Sequence, residues 1–313
     1  MKRLPQWLWV LIIGVVLWLV AAGVAIATQN IIIVPEVLML GGFVVPTALL
    51  FWILERITPG PAPAPRTALD APRVLAAFAL GGGLGLLASA VIEDYWTSAW
   101  PRVFFFDVAV TEELVKFGAV WLLALPLVMY LRRDGMLLGA AVGLGFSAFE
   151  STGYAFNVLV TERVMHTDVL TTQAVRGVLT PVGHALWTAL VAGALFAAAR
   201  SGDTPGGRAV ARGRLRLTWS VVGWLALACG LHALWDISRG IGASIIVWRE
   251  GGRVNRDLLL GTAYQSLATT EGSTIELISG VVQTLIAVAG VVLFVRYWRL
   301  AGSAERRASP TAE

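Results

Sequence analysis

The sequence predicts an all-α, polytopic membrane protein with about eight transmembrane helices, the fourth to seventh of which enclose a polar site. Three observations carry this. Hydrophobic residues make up 57% of the 313 positions and charged ones only 14%, whereas roughly a quarter of a soluble domain is charged. Eight apolar runs approach the roughly 20 residues needed to cross the hydrocarbon core. Basic residues gather in the segments between alternate runs, the pattern that orients a membrane chain with its positive side inward.

The first run, Trp7–Ala27, follows Lys2 and Arg3, and Ala25-Ile26-Ala27 resembles a signal-peptide cleavage site. Its apolar stretch exceeds the roughly 7–15 residues of a signal peptide, so a retained helix is expected. The second run is Ile31–Leu54. Residues 58–73, "TPGPAPAPRTALDAPR", are Pro/Ala-rich and read as a semi-rigid cytoplasmic linker. The third run, Val74–Ile92, contains Gly81-Gly82-Gly83-Leu84-Gly85. Gly83, Gly85 and Ala88 imitate a dinucleotide fingerprint without its strand–turn–helix setting, so close helix packing is the expectation.

The fourth run, Val108–Leu131, contains Pro126, a candidate kink. The fifth run is Met136–Val160 and the sixth Gly177–Ala199, with His166 expected to be solvated in the outer loop between them. The basic segment "RSGDTPGGRAVARGRLR" either meets anionic headgroups or serves only to set topology. Leu217–Ile237, the seventh run, includes Cys229, the single cysteine, which reads as a small core residue. Residues 239–274 are expected to form an extracytoplasmic loop, within which "NRDLLLGTAYQSLA" suits either a surface helix or plain coil. Ile275–Trp298 is the eighth run, and 299–313 a cytoplasmic tail. The whole chain, 1–313, thus reads as one integral-membrane domain with both termini cytoplasmic. Its net charge of +4 comes largely from Arg in connecting segments, and nothing suggests nucleic-acid binding.

Polar groups inside the spans point to chemistry, because a charged side chain at the centre of a span costs about 2.5–3.5 kcal/mol on insertion scales. Glu112, Glu113 and Lys116 lie within little more than one turn of the fourth run. Later runs carry Glu150, His184, and His232 with Asp236. Counted from the nearest cytoplasmic charge, Glu150, His184 and His232 each lie sixteen residues in, roughly 24 Å along a helix. All three therefore fall in one layer in the outer half of the membrane. Lys116 is i+4 from Glu112 and i+3 from Glu113, so either glutamate can pair with it. Adjacent glutamates point about 100° apart, and which of them faces the centre stays open. Asp236, one turn from His232, is placed to accept its Nδ1–H and leave Nε2 free. Carboxylates, imidazoles and a lysine at low dielectric suit the activation of water. With Glu150, His184 and His232 as ligands, the set would also suit Zn2+.

Four segments together resemble the PrsW family of intramembrane proteases, relatives of the CAAX-protease and bacteriocin-processing group. They are E-E-x-x-K at Glu112, Glu113 and Lys116; F-x-x-x-E with a following aromatic at Phe146, Glu150 and Tyr154; "HALWT" at His184; and "LHALWD" at His232 and Asp236. Where that pattern has Asn after its second-motif glutamate, this chain has Ser151, which puts a hydrogen bond near Glu150 in doubt. The resemblance implies hydrolysis, on the extracytoplasmic side, of a single-span substrate such as an anti-sigma factor, in the plasma membrane of a prokaryote. Residues 108–238 would be the catalytic helix core, with Glu112 or Glu113 as base and zinc a possible cofactor. Two other functions use the same residues: a proton-coupled transporter, against which the lack of inverted repeats argues, and a non-catalytic scaffold or immunity-type protein.

Overall fold

Long apolar runs in this sequence can bury their backbone polar groups only as helices if they lie in lipid, and the computed structural model is helical throughout its regular elements. It describes residues 4–58, 67–99, 104–127, 129–162, 167–199, 214–259 and 265–307, and no strand occurs among them. Helices α1 (Gln6–Thr28) and α2 (Val34–Ile57) form an N-terminal hairpin. Exposed apolar side chains on α1, among them Ile13, Val16, Leu19 and Val20, make a face that suits lipid rather than water. Helix α7 (Thr167–Ala199) holds this hairpin through Gln173. The Gln173 amide donates to the Val37 and Leu38 carbonyls at 3.1 and 3.0 Å and accepts from Trp18 Nε1 at 3.1 Å.

Helix α3 (Ala71–Ala79) is capped by Asp70, whose side chain accepts from the Arg73 amide at 2.9 Å. A π-helical turn (Leu80–Leu84) joins it to α4 (Gly85–Ala99). Gly81 and Gly82 serve packing, as expected, whereas a Cβ on Gly83 would meet open space. A Cβ on Gly81 would strike the Val142 carbonyl, and one on Gly82 would lie 2.8 Å from the Gly145 carbonyl. Helix α5 (Phe104–Ala124) ends two residues before Pro126 instead of running to Leu131 with a kink. Proline lacks an N–H and disfavours helical geometry in the residue before it, so it terminates this helix.

Helices α6 (Arg132–Glu162) and α7 form the most extensive helix pair. Gly135, Gly139 and Gly143 repeat every four residues along the contact face of α6. A Cβ on Gly135 or Gly139 would lie 2.5 Å from the Ala192 or Thr188 carbonyl, and one on Gly143 would strike the His184 carbonyl. This stripe of small residues lets the two backbones close together.

Helix α8 (Trp219–Asp236) packs on α5 and α7, then bends by 54° into α9 (Ser238–Arg249). Ser238 sits at the bend, 2.8 Å from Ser279 and accepting from Gln283 at 3.1 Å, both on α11 (Gln265–Arg307). The segment 239–274 is therefore not a plain loop. It contains α9, the short α10 (Arg256–Leu259) and the start of α11, which continues to Arg307 into the expected tail. His166, residues 59–66 of the linker, 200–213 of the basic segment, 260–264, and 308–313 of the tail lie outside the described residues.

By length and apolarity, five spans qualify among the described residues, or six when the bent α8–α9 pair counts as one. Helix α5 has span length but carries Asp107, Glu112, Glu113 and Lys116, and α6 carries Glu150 among its glycines. The expected total of eight counts both as spans.

Candidate active site

Each of four helices supplies part of a single buried polar cluster. On α5, Glu112, Glu113 and Lys116 are all buried. The Lys116 ammonium lies 2.7 Å from Glu113 Oε1, 3.3 Å from Glu112 Oε2 and 2.6 Å from His184 Nδ1. Its open side is closed by the Phe146 ring of α6, whose centroid is 4.1 Å away. An ammonium has only hydrogens to offer, so His184 accepts it at Nδ1 and carries its own proton on Nε2. That Nε2–H donates to Glu150 Oε2 at 3.1 Å.

From α8, His232 places Nδ1 3.0 Å from Glu113 Oε1. The ring thus donates Nδ1–H to Glu113, and its Nε2 faces Glu112 Oε2 and Asp236 Oδ2, each at 3.6 Å. Glu113, not Asp236, holds this histidine at Nδ1, and the buried Asp236 Oδ2 has no hydrogen-bond partner among the described residues. The two imidazoles meet edge to face with centroids 5.0 Å apart, and the Trp187 ring lies against both. The two glutamates left unresolved by helical spacing are now distinct. Glu113 is held by Lys116 and His232 at full hydrogen-bond distance, whereas Glu112 meets both only at 3.3 and 3.6 Å.

A glutamate pair with a lysine, a third glutamate and two histidines, on α5, α6, α7 and α8 in that order, lies within residues 71–250. That stretch matches the model of the PrsW family of intramembrane metalloproteases. The chain belongs to the PrsW family. No curated protein and no solved structure matches it. It is accordingly an integral membrane protein and an intramembrane protease.

A metalloprotease family raises the question of a metal. Glu112, His184 and His232 each offer one ligand atom, all within 4.8 Å of one another, and all three are buried. Two imidazoles and a carboxylate are a donor set that zinc takes in hydrolytic sites, and the Glu113 carboxylate behind His232 is the outer-shell acceptor such histidines use. The donor types fit the ion. The grouped carboxylate is Glu112 rather than the Glu150 expected from sequence, because Glu150 is engaged with His184 Nε2 and with Arg176, whose guanidinium is 2.9 Å away.

Of the PrsW segments, Tyr154 lies beneath the Arg176 guanidinium, 3.7 Å from ring centroid to Cζ. Ser151, the departure from the pattern, has a buried hydroxyl without a partner, as does Thr188 one turn beyond His184. Two acidic or basic residues near the cluster were missed from sequence. Arg176 is one, and Glu93 of α4, within electrostatic reach of Glu150, His232, Lys116 and Asp236, is the other. Both fell one residue outside the expected runs, which ended at Ile92 and began at Gly177. The available signal was an ionisable residue directly abutting an apolar run.

Proposed function

We propose that this PrsW protease hydrolyses a peptide bond of a membrane-anchored, single-span protein, of the anti-sigma-factor kind, near the extracytoplasmic side of a prokaryotic plasma membrane, with both its own termini in the cytoplasm. The observation that carries the reading is the convergence of Glu112, Glu113, Lys116, Glu150, His184 and His232 on one another inside the apolar helices. Transporter function would require these groups to face a path through the membrane, whereas they are closed on one another here.

The loosely held Glu112 takes the proton of the attacking water. Glu113 is kept as an anion by Lys116 and fixes His232. His232 Nε2, beside Asp236 and Glu112, receives or returns a proton at the scissile group. Lys116, braced by His184, which Glu150 anchors in turn, supplies positive hydrogen-bonding character where negative charge develops. Were zinc bound, Glu112, His184 and His232 would hold it, His184 giving up Lys116 at Nδ1 and His232 giving up proton transfer at Nε2, and the ion would supply Lewis-acid polarisation of the substrate carbonyl.

The test compares new protein N-termini in membranes of cells making the wild-type chain, Glu112→Gln or Glu113→Gln at matched abundance. Termini beside the outer end of a single-span protein, present with wild type and lost in Glu112→Gln, are the expected result. Identical profiles under several envelope stresses would refute the reading.

A further inference from the structure

Arg176 is a cation inside the apolar span Val169–Ala199, a placement that needs a reason. No motif singled out from the sequence includes it. Its guanidinium is gripped by α6 from two sides: Nη2 lies 2.9 Å from Glu150 Oε2, and Cζ sits 3.7 Å over the ring of Tyr154, one turn further along that helix. A planar, always-charged fork suits this combined stacking and pairing, which an ammonium cannot reproduce.

The same oxygen, Glu150 Oε2, also accepts His184 Nε2–H at 3.1 Å. Arg176 and His184 stand about two turns apart on α7, so one helix supplies two donors to a single carboxylate of α6. At its other nitrogen, His184 receives Lys116 at 2.6 Å. The result is an ordered line of donors and acceptors, Arg176 to Glu150, His184 to Glu150, and Lys116 to His184, whose inner end touches Glu112 and Glu113. Glu150 has Arg176 as its charged partner across 2.9 Å. Without that partner, His184 is the group still hydrogen-bonded to the carboxylate among the described residues.

We infer that Arg176 is a positioning residue of the site: it locks Glu150 between itself and His184, and through Glu150 fixes the ring orientation and tautomer that turn His184 Nδ1 toward Lys116 and the paired glutamates. Its meaning for catalysis rests on the protease reading, but the positional claim does not.

The test is nitrogen-15 NMR of the full chain in detergent micelles with labelled histidine. The chain has three histidines, and the His184 signals are assigned by their loss in His184→Gln. Wild type is expected to show His184 as a single Nε2–H tautomer with a hydrogen-bonded proton. Arg176→Met is expected to broaden or abolish that proton signal while leaving His232 as it is, and Arg176→Lys to restore it in part. Glu150→Gln should have the same effect, and the double variant Arg176→Met/Glu150→Gln should be no worse than Glu150→Gln alone, because the two act in one line. A His184 signal unchanged in Arg176→Met, or additive effects in the double variant, would overturn the inference. If Arg176→Met gives no cooperative melt by tryptophan fluorescence, Arg176→Gln carries the same comparison. In cells, Arg176→Met should lower the new N-termini described above by about 10- to 100-fold, the usual cost of losing an outer-shell partner, with recovery in Arg176→Lys. If no such termini appear even with wild type, the protease reading fails, and the His184 signal still decides the role of Arg176.

Discussion

Replacing Lys116 by methionine keeps the side chain's length and apolar stem and removes its ammonium. The loss is set by three contacts: 2.7 Å to Glu113, 3.3 Å to Glu112 and 2.6 Å to His184. At an effective dielectric of about 20, the two ion pairs are worth roughly 6 and 5 kcal/mol of Coulomb attraction, most of it offset by desolvation of the three charges. Removing one partner leaves the desolvation of the others uncompensated, so the expected cost is about 3–5 kcal/mol. For a chain of this size that corresponds to a melting point lower by roughly 6–20 °C. Adding Glu113→Gln removes one stranded charge and should recover about half of the loss. Thermal melting of the detergent-purified protein, followed by the fluorescence of its 13 tryptophans, measures both variants. A Lys116→Met melt within about 2 °C of wild type, or a double variant no more stable than the single one, would refute the idea that this ammonium is the electrostatic centre of the cluster.

Glu112→Gln should abolish the cleavage products, with a loss of about 100-fold or more, while shifting the melt little, because Glu112 is the less tightly held carboxylate. Glu113→Gln should lose products and stability together, and equal melts for the two would contradict the division of roles. Gly143→Leu drives a side chain into the His184 carbonyl and should cost at least about 1–3 kcal/mol while opening the His184–Glu150 contact, measured by melting and cleavage together. Gln173→Ala strips partners from Trp18, Val37 and Leu38. It should cost about 1–3 kcal/mol yet leave cleavage intact, since the α1–α2 hairpin supplies no residue of the cluster. Zinc at 100 times its dissociation constant should stabilise wild type by about 2.7 kcal/mol, an effect absent in His232→Ala and reversed by a chelator.

The sequence by itself determined that the chain is helical and membrane-bound, and which ionisable residues lie inside its apolar runs. Both follow from composition and the cost of charge in an apolar run, which are local properties. The residues of the four PrsW segments, Glu112, Glu113, Lys116, Glu150, His184 and His232, all enter the cluster. Only the tertiary structure decided who meets whom. Neighbouring glutamates on α5 look alike in sequence, but the rotation of that helix against α7 and α8 gives Glu113 to His232 and leaves Glu112 looser. Asp236, correctly spaced to orient His232, lost that place to Glu113 for the same reason. Arg176 and Glu93 escaped notice because a hydropathy pattern ends at the first charge it meets, while a helix packed against its neighbours continues through it. The approach of α6 to α7 rests on glycines at 135, 139 and 143, whose purpose appears only when the opposing carbonyls are in view. Side-chain partners depend on helix rotation and separation to within an ångström or so, and those are properties of the packed bundle rather than of any one segment.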